Sequence, residues 1–160
     1  MAENQKNNMY NFYLRFQDSW DPQELVRKGR KKDPLNKKLR VTHVRQYEEA
    51  IFNKIQPKEK VYDFVHDKDG IIIPGLSNGL STFTSEGRLK EVLNYDQREL
   101  WKLQKKNEDN RILIKYPTEM ELSPIMGSKD HFGIKPAEKM RVKHQTFLQM
   151  LRCLPWTKLR

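Results

Sequence analysis

The 160-residue sequence has one cysteine, Cys153, and no apolar run near the roughly 20 residues that a membrane-spanning helix requires. A single cysteine excludes an intramolecular disulfide and an all-cysteine metal site, and it favours a reducing compartment. The polar N-terminal residues lack the hydrophobic stretch of a secretory signal, so no cleaved leader is expected. Gly (7) and Pro (8) are too few for a collagen-like or low-complexity chain.

Positive charge is the most pronounced feature of the composition. Lys and Arg total 31 against 21 Asp and Glu, which gives a formal net charge of +10 and a pI near 9.7. Such a surface attracts polyanions: nucleic acid, an acidic protein or a phosphate-bearing small molecule. Much of the excess lies in residues 27–40, where only Asp33 is acidic. This segment is interpreted either as a solvated basic loop or as a surface for such a partner.

Hydrophobic periodicity predicts short strands mixed with helices. The leader, residues 1–8, is predicted to be disordered, and residues 9–160 to form one domain. Predicted strands cover 10–16, 61–65, 71–73, 80–85, 111–116 and 118–122. A first helix is predicted to begin at Asp21, a second to cover 44–55, and two further helical pieces to lie within 86–108. The last helix is predicted over 137–151, after a loop over 123–136. The expected class is α+β with a split, mostly antiparallel sheet.

Polar residues on three of these predicted strands form the main candidate site. Arg15 lies on the first strand, Ser81 and Thr82 on a later one, and Glu119 and Glu121 on a segment near residue 120. An arginine, a Ser-Thr-x-Thr strand and a Glu-x-Glu pair in this order resemble the ADP-ribosyltransferase fold. A cation can hold the NAD pyrophosphate, and a carboxylate can stabilise an oxocarbenium-like transition state. No nucleotide-binding glycine loop or zinc-ligand spacing is present.

A second resemblance rests on longer patches. These are Gly70-Ile-Ile-Ile-Pro74, then Ser81-Thr82-Phe83, then Asp130-His131-Phe-Gly-Ile-Lys-Pro-Ala-Glu-Lys-Met140. They are similar to the small cytotoxic effectors of bacterial type VI secretion, which have an ADP-ribosyltransferase-like fold of the diphtheria-toxin and exotoxin superfamily.

The resemblance to these effectors implies a site made by Ser81, Thr82 and His131, with Arg15 binding the NAD that is consumed as substrate. Glu121 enters as a fourth catalytic candidate from the broader transferase pattern. The implied protein leaves the producer's cytoplasm without a cleaved signal peptide and acts in the cytoplasm of a target cell. It modifies an acceptor macromolecule that the sequence does not name. Neither a membrane partner nor a metal site is expected, and an acidic immunity protein is expected to cover its cleft.

Other interpretations stay open at this stage. The basic segment, with Tyr47, Trp101 and Trp156 as stacking platforms, suits an RNA-directed protein, either a ribonuclease toxin or an RNA-binding module. A structural adaptor without chemistry is a third possibility. In that case Ser81, Thr82 and His131 only satisfy backbone groups or line a strand edge.

Overall fold

The structure of the chain is a computed structural model. It describes residues 12–15, 22, 24–35, 39–52, 62–93, 98–104, 111–114 and 120–159. The predicted leader, residues 1–8, and the predicted helix end near Ile55 lie outside these residues, as does Glu119.

The described part of the chain consists of short strands with a few short helices between them. Its strands are β1 (Phe12–Arg15), β2 (Glu24–Lys28), β3 (Val41–His43), β4 (Phe64–His66), β5 (Leu80–Phe83), β6 (Leu100–Gln104), β7 (Arg111–Ile114), β8 (Met120–Pro124), β9 (His131–Pro136) and β10 (Thr157–Lys158). Its helices are α1 (Val44–Phe52), α2 (Glu86–Leu93) and α3 (His144–Arg152), with 3-10 turns at Pro74–Leu76 and Ile125–Gly127. None of these helices is long and apolar enough to cross a bilayer.

Six strands form the main sheet, in the order β10-β6-β2-β5-β9-β8, and every neighbouring pair is antiparallel. Strands β1 and β7 form a separate antiparallel ribbon, and β3 pairs with β4 in parallel. The chain is therefore a mixed α+β protein with a mostly antiparallel sheet and few helices. This confirms the expected class at that level.

Apolar side chains cover both faces of the main sheet unequally. The larger cluster includes Leu25, Leu80 and Ile134 from the strands together with Phe147 and Leu151 of α3. The opposite face carries a small cluster, which consists of Val26, Phe83, Leu89 of α2 and Leu100, with Leu159 packed against it. We call these the α3 face and the α2 face. Because side chains alternate along a strand, adjacent residues of β5 lie on opposite faces.

Two helix predictions are wrong for the same reason. The segment after Asp21 was expected to be helical, but Glu24–Lys28 is a strand in the interior of the sheet, between β5 and β6. The second helical piece within 86–108 is also a strand, Leu100–Gln104, which pairs with β2 along its length. Both segments are short, and pairing with buried neighbouring strands outweighs a helix-start signal in the first segment and helical apolar spacing in the second.

The region before the last helix also differs from its prediction. Residues 123–136 were expected to be a loop, but His131–Pro136 is the strand β9, paired with β5 and with β8. The last helix was expected from Ala137 and begins instead at His144. The Pro-Ala dipeptide at 136–137 therefore ends a strand and does not open a helix. His131 consequently lies within the sheet.

Several other predictions agree with the structure. The strand near the N-terminus is present as β1, the helix after His43 as α1, and the first helical piece of 86–108 as α2. Gly70 has a φ of 80°, which suits the predicted turn. The predicted strand over 71–73 is reduced to isolated bridges between Ile72 and His66 and between Ile71 and Lys143.

Candidate functional site

Ser81 and His131 form the centre of the candidate site. They lie 50 residues apart in sequence, and their side chains meet with 2.6 Å between Ser81 Oγ and His131 Nε2. The register of β5 and β9 explains the contact, since Ser81 pairs with Gly133 and Phe83 pairs with His131. Ser81 and His131 are thus diagonal neighbours on one face of an antiparallel pair, within reach of each other's side chains. The structure brings together these two predicted residues.

The imidazole of His131 packs flat on Phe83. The two ring centroids are 4.3 Å apart and the ring planes differ by 5°. Phe83 is buried on the α2 face, and His131 and Ser81 are half-buried beside it. The aromatic ring fixes the plane of the imidazole, so that Nε2 is directed at the Ser81 hydroxyl.

The protonation of His131 is also set by its surroundings. Partial burial lowers the pKa of its imidazole from the usual 6.5, and the nearby Arg88 guanidinium lowers this pKa further. At neutral pH the imidazole is therefore neutral. A neutral imidazole whose nitrogen lies 2.6 Å from a hydroxyl has the geometry of a general base.

Arg88 belongs to the first half of α2, which follows β5 directly. The Ser85 hydroxyl accepts a hydrogen bond from the Arg88 N–H at 3.1 Å, as is usual at a helix start. The Arg88 guanidinium is partly exposed and forms ion pairs with Glu91 at 3.0 Å and with Asp130 at 3.6 Å. Asp130 immediately precedes β9, so α2 is linked to the start of the strand that carries His131.

A buried arginine supports the backbone of β5 from the other face. Arg27 Nη1 donates a hydrogen bond to the carbonyl oxygen of Ser81 at 3.2 Å, and the side chain is almost fully buried. Burial lowers the pKa of Arg27 to about 10, while the charges of Asp63 and Asp33 oppose that shift. Arg27 remains a cation at neutral pH, and it holds Ser81 by its main chain.

Thr82 does not join Ser81 on the α2 face. Its side chain is fully buried on the α3 face, where Oγ1 donates a hydrogen bond to the carbonyl oxygen of Phe132 at 2.8 Å. The two predicted hydroxyls therefore lie on opposite sides of the sheet because they are consecutive in one strand. The hydrogen bond of Thr82 stabilises the sheet, whereas the hydrogen bond of Ser81 is to an imidazole that can act as a base.

Gly133 allows the chain before β5 to cross closely over β9. A Cβ at Gly133 would lie 1.6 Å from the carbonyl oxygen of Asn78 and 3.1 Å from Gly79 Cα. Lys135, two residues along the same strand, donates hydrogen bonds to the carbonyl oxygens of Pro74 at 2.9 Å and Ser77 at 3.2 Å. The segment 74–79 is thereby held against β9 beside the Ser81–His131 pair.

Glu121 lies on the α2 face but away from this pair. It is in register with Lys135, whereas Ser81 is in register with Gly133. Two strand spacings and two residues of rise place the Cα atoms of Glu121 and Ser81 about 12 Å apart. Direct hydrogen bonding between Glu121 and Ser81 is excluded at this separation.

Arg15 lies outside the main sheet. It ends β1 and is paired with Arg111 of β7 in the two-stranded ribbon. Its role beside Ser81, which the resemblance implies, stays a prediction.

The basic segment is only partly a solvated loop. Arg27 is buried, and Arg30 forms a 2.6 Å ion pair with Asp33, which also pairs with Arg152 of α3 at 3.2 Å. Lys31 and Lys32 are exposed. Part of the positive charge therefore stabilises the fold and only part is free for a partner.

The aromatic residues proposed as base platforms each have a contact within the fold. Tyr47 packs against Tyr62, with ring centroids 6.0 Å apart. The indole N–H of Trp101 donates to the Arg30 carbonyl oxygen at 2.9 Å, and that of Trp156 donates to Leu151 at 2.7 Å. These contacts use the aromatic residues within the fold.

Sequence reasoning missed Phe83, Arg88 and Arg27 as site residues. Phe83 was visible only as the third residue of the Ser-Thr-Phe run, and its stacking on His131 depends on the β5–β9 register. Arg88 and Arg27 carry no local motif. In the ranges that the structure describes, no group of three or more His, Cys, Asp and Glu side chains is arranged to hold a metal ion.

Comparison with known proteins supplies no assignment for this site. No protein-family model matches the chain, and no curated protein or solved structure matches it significantly.

Proposed function

We propose that the chain is a cytotoxic effector that acts in the target-cell cytoplasm through an NAD-dependent, ADP-ribosyltransferase-like cleft on the α2 face. The observation that carries the proposal is the 2.6 Å contact between Ser81 and His131, which lie in two separate patches that resemble the toxin family. A half-buried hydroxyl and imidazole in direct contact are the kind of polar pair that a catalytic site uses. The mixed α+β class with a mostly antiparallel sheet is compatible with the proposal. The ADP-ribosyltransferase-like topology is itself part of what we propose.

The charge of the protein suits a dinucleotide. NAD carries a pyrophosphate, and the chain carries a net charge of +10 and a partly exposed Arg88 that pairs with Asp130, the residue before His131. A guanidinium binds phosphate oxygens through two parallel hydrogen bonds. Arg15 has the same role in the resemblance, so the proposal has two candidate cations.

The proposed reaction does not require a general acid to protonate the leaving group. The bond between ribose C1′ and the nicotinamide nitrogen breaks, its electron pair leaves with nicotinamide, and the leaving group becomes neutral without gaining a proton. The sugar passes through an oxocarbenium-like transition state that a carboxylate stabilises, which is the role proposed for Glu121. The acceptor forms a bond to C1′ and loses a proton, which the neutral imidazole of His131 can take.

The test combines turnover with toxicity. The purified chain is incubated with NAD and a cell lysate, and released nicotinamide and labelled macromolecules are measured. We expect turnover, growth arrest on cytoplasmic expression in bacteria, and loss of both in Ser81→Ala. Ser123→Ala is the matched control, because Ser123 lies on the same face in register with Gly133 but does not bond to His131. A harmless wild-type chain, or a folded Ser81→Ala variant that remains equally toxic, would refute the proposal.

An acidic immunity protein that covers the α2 face completes the proposal. A basic surface steers an acidic partner, and the association rate then falls with ionic strength. Binding kinetics at low and high salt test this point, and equal association rates would contradict it.

The alternative is an RNA-directed protein, and the same preparation distinguishes it. Degradation of total RNA without NAD would favour a ribonuclease toxin in which His131 is the acid or base. NAD consumption with intact RNA favours the transferase-like function.

A further inference from the structure

The Ser81–His131 contact has a consequence that does not involve NAD. A serine hydroxyl is a weak nucleophile until a neighbouring base takes its proton. Here Ser81 Oγ lies 2.6 Å from His131 Nε2, within the range for direct proton transfer. Both side chains are half-buried, so the hydroxyl is shielded from bulk water but not sealed.

The pair is held rigidly from both sides. Phe83 stacks on the imidazole at 4.3 Å between centroids, and the Arg27 guanidinium donates to the Ser81 carbonyl oxygen at 3.2 Å. Both residues belong to strands paired on either side, and not to loops. A nucleophile and base fixed in this way need little reorganisation to react.

We propose that Ser81 is a nucleophile activated by His131, and that the pair accepts acyl groups from carboxylic esters. Ser81 Oγ forms a bond to the ester carbonyl carbon while His131 Nε2 takes the hydroxyl proton. The ester C–O bond then breaks, and the leaving alcohol receives that proton from His131. Water hydrolyses the acyl-serine by the same route, which returns the acid and the free hydroxyl.

Arg88 completes this assignment. The guanidinium lies 3.6 Å from the carboxylate of Asp130, which directly precedes His131, and its charge lowers the pKa of the imidazole. In the proposed reaction this cation stabilises the oxyanion that develops on the ester carbonyl. Its influence also keeps His131 in the neutral form that accepts a proton.

A fluorophosphonate is the direct probe, because it traps activated serines. Ser81 Oγ bonds to phosphorus, the P–F bond breaks, fluoride leaves, and His131 holds the proton. We expect one adduct per chain by intact mass, located on Ser81 by peptide mass spectrometry. The labelling rate is expected to rise with pH to a plateau, with a midpoint below 6.5, the usual histidine value.

Variants separate activation from simple exposure. Ser81→Ala is expected to abolish the adduct, His131→Gln to slow labelling about 100-fold or more, and Ser123→Ala to leave it unchanged. Circular dichroism and thermal unfolding establish that each variant is folded. Absence of an adduct on Ser81 in the wild-type chain, or equal labelling of folded His131→Gln, overturns the inference.

The inference uses the same two side chains as the proposed function but is independent of it. Ser81 labelling and ester hydrolysis without NAD turnover would support the inference and refute the transferase-like function. NAD turnover without labelling of Ser81 would support the transferase-like function and refute the inference. Hydrolysis of p-nitrophenyl acetate above the rate of Ser81→Ala provides the matching turnover measurement.

Discussion

The imidazole of His131 lies parallel to the phenyl ring of Phe83, with 4.3 Å between the ring centroids. Their main chains are directly opposed in the β5–β9 register. One aromatic side chain thus joins the small apolar cluster of the α2 face to the only histidine that bonds to a serine within the described residues. The behaviour of the site depends on this pair of rings.

Replacing Phe83 by leucine tests the stacking. The variant keeps an apolar side chain but loses the ring, so we expect a loss of about 1–2 kcal/mol in the free energy of unfolding. The imidazole becomes more hydrated, and the pKa of His131 should move up towards 6.5 because burial is the main cause of its depression. Proton NMR titration of the imidazole checks this. An unchanged pKa would contradict the role assigned to the ring.

The depressed pKa of His131 also predicts acid sensitivity. The unfolded chain protonates this group near 6.5, whereas the folded chain does so at lower pH. Between these two values the unfolded state binds more protons, so stability falls as the pH decreases through that window. Above the window neither state is protonated, and the effect is absent.

Urea unfolding from about pH 7 to about pH 5 measures this linkage. We expect His131→Gln to lose less stability over that range than the wild-type chain does. The other titratable groups contribute equally to the pH dependence of both proteins, so the difference between the two profiles reports on His131. Parallel pH profiles for the two proteins would show that His131 has no shifted pKa.

The two neighbouring hydroxyls of β5 should behave differently on substitution. Thr82→Val keeps the shape of the side chain but removes the buried donor to the Phe132 carbonyl oxygen. We expect a loss of about 1–2 kcal/mol in stability, with Ser81 labelling retained. Ser81→Ala should cost less stability and remove the labelling. Denaturant unfolding combined with fluorophosphonate labelling separates the two, and loss of labelling in a folded Thr82→Val variant would contradict the assignment.

Gly133 is expected to tolerate no side chain. Alanine there would place Cβ 1.6 Å from the carbonyl oxygen of Asn78, so either segment 74–79 or β9 must move. We expect a loss of about 3 kcal/mol or failure to fold. Gly75→Ala is the control, because a Cβ at Gly75 meets nothing within 4 Å. Thermal unfolding of the two variants checks the difference, and equal melting temperatures would refute the close crossing.

The candidate site was predicted in part. His131 and Ser81 were named from motif resemblance, and the structure brings them together. Thr82 was named beside Ser81, but alternation along a strand places consecutive residues on opposite faces. Glu121 was named as a further catalytic candidate from the broader transferase pattern, yet its register with Lys135 puts it too far for direct contact with Ser81. A motif fixes residue identity and spacing in sequence, whereas distance depends on the strands between the motifs.

By itself the sequence determined the α+β class, the basic net charge and most of the segments with strong periodicity, such as β1, α1 and β5. These are local properties, since hydrophobic spacing and charge act over a few residues. Only the tertiary structure decided that Glu24–Lys28, Leu100–Gln104 and His131–Pro136 are strands. Each is too short to be specified by its own pattern, and each is stabilised by pairing with a distant part of the chain. The same long-range pairing sets the register that joins Ser81 to His131, and no local pattern encodes it.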